Sequence, residues 1–225
     1  MRAFALAAAA LALPALLLAA CGGQELRPFK TVDVTPWLGQ TVLGNANAPI
    51  EIVEYASTTC SHCGHFHKEE FPKVKAGLID TGKAKLRYVV LPTAPAPLSV
   101  AGGAIARCAG KDKFFDAIAD LFENQNKLAD AGSPRKVQDL FAEIGGRHGL
   151  SFDQVNSCIE NKPVLQAMDK ELDDLPTSIT GTPSFFVNGV KVEEPTAEAI
   201  TAAVDAAASA PPAAPEAGQA PPPSP

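Results

Sequence analysis

The residues best suited to chemistry are Cys60-Ser61-His62-Cys63, a C-x-x-C pair that directly follows a short apolar run. Two thiols at that spacing interconvert between dithiol and disulfide. Cys60 would sit at a helix N-terminus, where unpaired backbone N–H groups and the helix dipole favour a thiolate. A thiolate of low pKa is also a good leaving group, so mixed disulfides at Cys60 would resolve quickly. Cys63 lies one turn further in and would do the resolving. His62, if partly protonated, stabilises the thiolate; otherwise it is a neutral spacer. The rival uses of the pair are a structural disulfide and half of a zinc site. A full zinc pattern needs a second C-x-x-C, and Cys108 and Cys158 are isolated. Gly64 follows Cys63, so the haem-attachment pattern C-x-x-C-H is absent. His65 and His67 come next; with the two thiols they would make a surface transition-metal site. No metal and no cofactor is expected.

These side chains need a scaffold that fixes one helix end. Residues 50–56, Ile-Glu-Ile-Val-Glu-Tyr-Ala, are β-branched and followed by a polar turn, which predicts a buried strand. From His62 to about Leu78 the pattern is helical, and Pro72 within it predicts a kink. Thr81-Gly82-Lys83 ends that helix, and Lys85 to Leu91 reads as the next strand. The result is a β-α-β unit with parallel strands and a right-handed crossover. Pro92 to Pro97 predicts a loop. About 75 residues of helical character follow. Val100, Ala104, Ile105 and Cys108 form one apolar stripe; Phe114, Phe115, Ile118, Leu121 and Phe122 form another. Ser133-Pro134 predicts a helix start, and Ser151 with Gln154 a capping box. The strand signal returns at Ser184 to Val187. Asn188-Gly189 predicts a hairpin turn to Val190-Lys191-Val192. Thr196 to about Ala208 closes with a helix.

In that order, with C-x-x-C opening the first helix, the chain resembles the DsbA-like thiol:disulfide oxidoreductases of the thioredoxin superfamily. Glu54, Cys60-Ser61-His62-Cys63 and the run Gly181-Thr182-Pro183-Ser184-Phe185-Phe186-Val187-Asn188-Gly189 carry the resemblance, within about residues 40–208. It implies an α/β thioredoxin fold, β-α-β then β-β-α, with an all-helical insertion. The divisions would be 40–98 and 177–208 for the two halves and 99–176 for the insertion. It implies that Pro183 follows a cis bond facing the sulfurs, and that Thr182 and Pro183 receive an extended substrate chain. It makes Glu54 a buried acid that relays a proton to or from Cys63; the alternative is an acid at a solvated strand end. Glu51, three residues away, falls on the opposite strand face. A His at position 62 marks oxidising members. Cys108 and Cys158 match a second disulfide in the insertion; two buried thiols or a redox-regulatory pair are the alternatives.

The ends of the chain speak to location. Residues 1–20 are an Ala/Leu run after Arg2, too short for a confident membrane span and consistent with an export signal. Leu18-Ala19-Ala20-Cys21 resembles the lipobox of bacterial lipoproteins, which makes Cys21 the lipidation site and an anchor of two or more acyl chains. Residues 21–39 would be a tether, and 209–225, rich in Pro and Ala, a disordered tail. The folded part is then roughly 175–180 of 225 residues, one domain with a proper core. With 19 Lys and Arg against 25 Asp and Glu, and no basic block, nucleic acid is excluded as a partner. The five cysteines leave four once Cys21 is lipidated, and an even number in an exported chain suggests two disulfides.

The expected protein is a monomeric, envelope-facing dithiol oxidase, membrane-anchored and acting on reduced exported polypeptides. Its family implies a quinone-linked membrane partner for re-oxidation. The rivals are a reductase or isomerase in cytochrome or metal-centre maturation, and a non-catalytic metal-binding or chaperone module.

Overall fold

The apolar run at 50–56 becomes the central strand of a five-stranded sheet. In this computed structural model, which describes residues 25–210, β1 (Val42–Leu43), β2 (Ile50–Ala56), β3 (Ala84–Val90), β4 (Ser184–Val187) and β5 (Val190–Val192) lie in the order β1-β3-β2-β4-β5. β2 and β3 are parallel; β2–β4, β4–β5 and β1–β3 are antiparallel. Because side chains alternate along a strand, β2 serves two layers. Ile50, Ile52 and Ala56 pack into the two cores on one face; Val53 and Tyr55 meet Val89, Phe186 and the loop residues Leu172, Leu175 and Ile179 on the other. Glu51 points to that second face, where it pairs with Lys85 and Arg87. Glu54 points to the first and is buried.

The crossover from β2 to β3 is α1 (Ser61–Glu69), α2 (Phe71–Val74) and a π turn over Lys75–Ile79. The single kinked helix expected from His62 to Leu78 is thus divided. Pro72 has no N–H to give to the preceding turn, and the chain restarts after Glu70 with Pro72 in the first turn of α2. Glu70 gains a second use: its Oε2 accepts from Ala197 N at 2.9 Å, at the start of α9 (Ala197–Ser209). The hairpin turn between β4 and β5 has positive φ at both Asn188 and Gly189, +46° and +83°, as the Asn-Gly pair predicts.

Between β3 and β4 stands an all-helical block: α3 (Ala96–Cys108), α4 (Phe114–Glu123), α5 (Gln125–Ala129), α6 (Pro134–Arg147), α7 (Phe152–Ile159) and α8 (Lys162–Lys170). α3 begins inside the segment expected as a loop, since Pro97 is tolerated in a first turn. Ser133 caps α6 through Lys136 N, and Ser151 and Gln154 close the capping box of α7 in both directions. Cys108 and Cys158 are joined by a disulfide that ties α3 to α7 across 50 residues.

The stretch expected as a tether is, from Arg27 on, laid along this block. Arg27 stacks on the Phe152 ring at 3.9 Å, pairs with Asp139 at 3.0 Å, and exchanges backbone bonds with the Gln138 amide. Val32 N donates to Ser157 Oγ at 2.9 Å. Further on, the buried Arg107 guanidinium donates to the carbonyls of Trp37 and Gly39, both at 3.1 Å, and pairs with Glu171 at 2.6 Å. The segment lacks sequence periodicity because side chains from distant helices hold its backbone. The expected signal (1–20), Cys21 and the tail from residue 211 lie outside the described residues. Among the described residues no helix is long and apolar enough to cross a membrane.

Candidate active site

The helix N-terminus that carries Cys60 is held from three sides. From below, the end of β2 feeds a turn in which Cys60 N donates to Ser57 O. Ser57 Oγ joins Ser99 Oγ at 2.8 Å, Thr59 Oγ1 at 2.9 Å and Thr93 N at 3.3 Å, a hydroxyl cluster that pins the turn to the loop after β3 and to α3. From the insertion, Gln125 Nε2 donates to Thr58 O at 2.8 Å and Cys60 O at 2.9 Å. Gly64 leaves room for that amide: a Cβ there would stand 2.8 Å from Gln125 Oε1. From across the cleft comes the loop before β4, where the Thr182–Pro183 bond is cis. The Cys60 thiol donates to Thr182 O at 3.2 Å.

The two cysteines are free thiols here and have different surroundings. Cys60 is the N-cap of α1, half-buried. Burial alone raises its pKa; hydrogen bonds from the Thr182 side chain and from the backbone at Cys63 and His62 outweigh it, so the net direction is down. Cys63 is fully buried, and burial, with the neighbouring Cys60 charge, pushes its pKa far up. One sulfur is therefore set up to be charged and reachable, the other protonated and enclosed. His62, in the first turn of α1, and His65, in the next, are both exposed.

A second polar group joins β2 to α1. Glu54 is fully buried, and its Oε1 meets His67 Nε2 at 2.8 Å. The resemblance's buried acid is thus found inside the protein rather than at a solvated strand end. The His67 ring is stacked between Phe71 and Phe122, with centroids at 4.8 Å and 4.3 Å, and stands edge-on to Tyr88 at 6.2 Å. Tyr88 is opposite Glu54 in the β2–β3 register and is fully buried. Burial and the Glu54 and cysteine charges raise its pKa. The surface metal site considered from Cys60, Cys63, His65 and His67 does not assemble, because His67 points inward. Among the described residues no group of three or more His, Cys, Asp or Glu is arranged to hold a metal.

The fold has counterparts. A thioredoxin family profile matches residues 38–206. The chain belongs to the thioredoxin family. Within it, the DsbA-like members are its kin. It is 31% identical over 188 residues to a Rickettsia bellii protein named "Putative protein-disulfide oxidoreductase", covering 81% of this chain and 71% of that one. Across five Rickettsia relatives the chain spans from 59% to 71% of their length. Wolbachia pipientis alpha-DsbA1 superposes with a TM-score of 0.64 at 27% identity, over 76% of this chain and 92% of that structure. Oxidised BdbD of Bacillus subtilis shares the fold, with a TM-score of 0.66 at 22% identity, over 78% and 97%. This DsbA-like thioredoxin fold is the expected α/β class with its helical insertion.

Gln125, Tyr88 and the Ser57–Ser99–Thr93 cluster escape a reading of the sequence, and His67 is read there only as a surface metal ligand. For His67 a signal exists, since it lies four residues after Cys63 and so shares the helix face of the buried cysteine. For Gln125 there is none: it reaches the motif only because the insertion folds back over α1.

Proposed function

We propose that this protein is a thiol:disulfide oxidase that donates the Cys60–Cys63 disulfide to reduced exported polypeptides. A substrate thiolate attacks Cys60 Sγ, a mixed disulfide forms there, and Cys63 leaves with the electron pair of the broken bond. A second substrate thiolate then attacks the substrate sulfur of the mixed disulfide and releases Cys60 as a thiolate. The observation that carries this reading is the contrast between the two sulfurs: Cys60 is at the helix end with its acidity increased, beside the cis Thr182–Pro183 bond. Stabilising the Cys60 thiolate stabilises the reduced protein, and so strengthens its tendency to give its disulfide away. Thr182 and Pro183 border Cys60 where an extended substrate chain would lie, and His62 adds local positive charge when protonated. Glu54 serves as the buried acid for Cys63, and the Cys108–Cys158 bridge is structural.

The chain is placed at the cell envelope by its export signal and is anchored through lipid on Cys21. A quinone-linked membrane protein returns it to the disulfide form. The protein acts as a monomer.

Equilibration of Cys60–Cys63 with glutathione buffers tests the direction, with a Cys108→Ser/Cys158→Ser variant to isolate the pair. An oxidase requires a potential above about −200 mV and oxidation of a reduced model peptide that is lost in Cys60→Ser. A potential near the thioredoxin value of about −270 mV reverses the assignment to a reductase. Tight copper or zinc binding without peptide oxidation replaces it with a metal-binding module.

A further inference from the structure

The start of α1 is held by a residue of the insertion. Gln125, the first residue of α5, sends its side-chain amide to two carbonyls, Thr58 O at 2.8 Å and Cys60 O at 2.9 Å. A primary amide has two N–H groups, one for each acceptor. Gln125 follows the buried Asn124, whose Nδ2 donates to Asp120 O at 2.8 Å and ties the residue pair to the end of α4. Thr58 lies in the turn that leaves β2, and Cys60 O also accepts the first bond of the helix, from Gly64 N at 3.1 Å. The amide therefore joins the incoming turn to the outgoing helix across the residue that carries the exchanging sulfur.

The opposing surface is shaped to this amide. A Cβ on Gly64 would stand 2.8 Å from Gln125 Oε1 and 3.4 Å from its Cδ. Gly64 lies inside α1 and has no positive φ, so its backbone does not call for glycine. Glycine weakens a helix interior relative to alanine; here the missing side chain makes room for the amide. The contact also bears on charge. Carbonyl oxygens are the negative ends of their dipoles, and these two lie at and just before the residue whose sulfur becomes a thiolate. The Gln125 donors offset that negative charge. In a trans peptide C=O and N–H point opposite ways. Gripping the Cys60 carbonyl thus fixes the direction of Ser61 N–H, one of the first-turn donors that has no partner within the helix. A hydrogen bond at the carbonyl also polarises that peptide and makes its N–H a stronger donor.

We infer that Gln125 is a positioning residue for the exchange at Cys60: through it the helical insertion fixes the peptide units around the sulfur and favours its thiolate. Gln125 bonds the backbone that carries Cys60 rather than either sulfur. When the mixed disulfide resolves and Cys60 leaves with the electron pair, the new charge forms against a backbone already oriented for it. The ionisable groups near that charge are His62 and Cys63 on α1 and Tyr88 on β3, with Glu54 on β2 beside Tyr88. The Thr180–Ser184 loop and residues 92–95 contribute none. Around the groove that Gln125 lines they are His65, His67 and Lys68 on α1 and Glu123 on α4. Gln125 carries no charge, so its effect on Cys60 is present at every pH.

Two variants disturb the contact from its two sides. Gln125→Met keeps the length of the side chain and removes both donors. Gly64→Ala keeps Gln125, pushes its amide off the carbonyls, and places a better helix former in α1. In both, the Cys60 titration, followed by ultraviolet thiolate absorbance, is expected to move up by about half a unit, and the equilibrium with glutathione to shift by about threefold toward the disulfide. Helix propensity alone would make Gly64→Ala the firmer helix, so a shift shared by both variants cannot come from a loosened helix. Parent values in either variant overturn the inference, whatever the melting temperature does. If Gln125→Met does not fold, Gly64→Ala decides by the same two readouts. A third measurement needs no variant. The side-chain amide resonances of Gln125 in the reduced parent should titrate together with Cys60, and resonances that ignore that titration overturn the inference. The inference rests on the proposed exchange function. A parent protein that does not exchange with thiols overturns that function, whereas normal exchange that is the same in both variants overturns only the role of Gln125.

Discussion

Cys60 and Cys63 carry the same side chain, and their surroundings drive their acidities apart. Desolvation acts on both. Cys60 offsets it with hydrogen bonds from Thr182 across the cleft and from Cys63 and His62 at the start of α1. Cys63 is one turn deeper, packed among apolar residues and beside the Cys60 charge. Only a thiolate alkylates readily. Limiting iodoacetamide at mildly acidic pH is therefore expected to label Cys60 over Cys63 by at least about tenfold, read by mass spectrometry of the reduced protein. Equal labelling would mean that the burial contrast has no chemical consequence. The motif itself was legible at this scale, because helix N-terminus and spacing are local properties. The Thr182 contact was available only through family resemblance, since 122 residues separate it from Cys60.

At the scale of elements, the most informative piece is the segment over residues 27–39. Its composition reads as a tether, yet its backbone is bonded to α6, α7 and Arg107. Arg107 is 1% exposed and holds two carbonyls of the segment together with Glu171. Removing one member of a buried ion pair strands the other. Arg107→Met is expected to cost about 3 kcal/mol in urea unfolding, with the segment cleaved faster by protease. A change within about 0.5 kcal/mol would show that the clamp is not part of the folded unit. The capped helices were legible because caps, like the Ser151–Gln154 box, are written within four residues. The docked segment was not, because its partners lie 68 to 125 residues further along.

For the whole molecule, the two redox forms should differ in stability in a pH-dependent way. The Cys60 pKa in the folded, reduced protein lies below its ordinary value of 9.0. A depressed pKa contributes stability that is complete above the ordinary value and is lost as pH falls through the folded one. The disulfide form has no thiolate, so the reduced form gains on it as pH rises toward 9 and loses that gain in acid. Thermal melts of both forms at about pH 5 and pH 8 should show the reduced form relatively more stable at the higher pH. A difference independent of pH would remove the thiolate as its source. Cys63 does not disturb this window, since its raised pKa weakens the reduced form only above the ordinary thiol value.

The sequence by itself determined the C-x-x-C pair at a helix start, the β-α-β and β-β-α halves, the helical block between them and the hairpin at Asn188-Gly189. Each of these depends on periodicity, caps or turn residues that act over a few positions. Tertiary structure alone decided that Gln125 fastens the insertion to Cys60 and that residues 27–39 are bound to the insertion. Those outcomes depend on which surfaces meet when the insertion closes over α1, and no local pattern encodes that meeting.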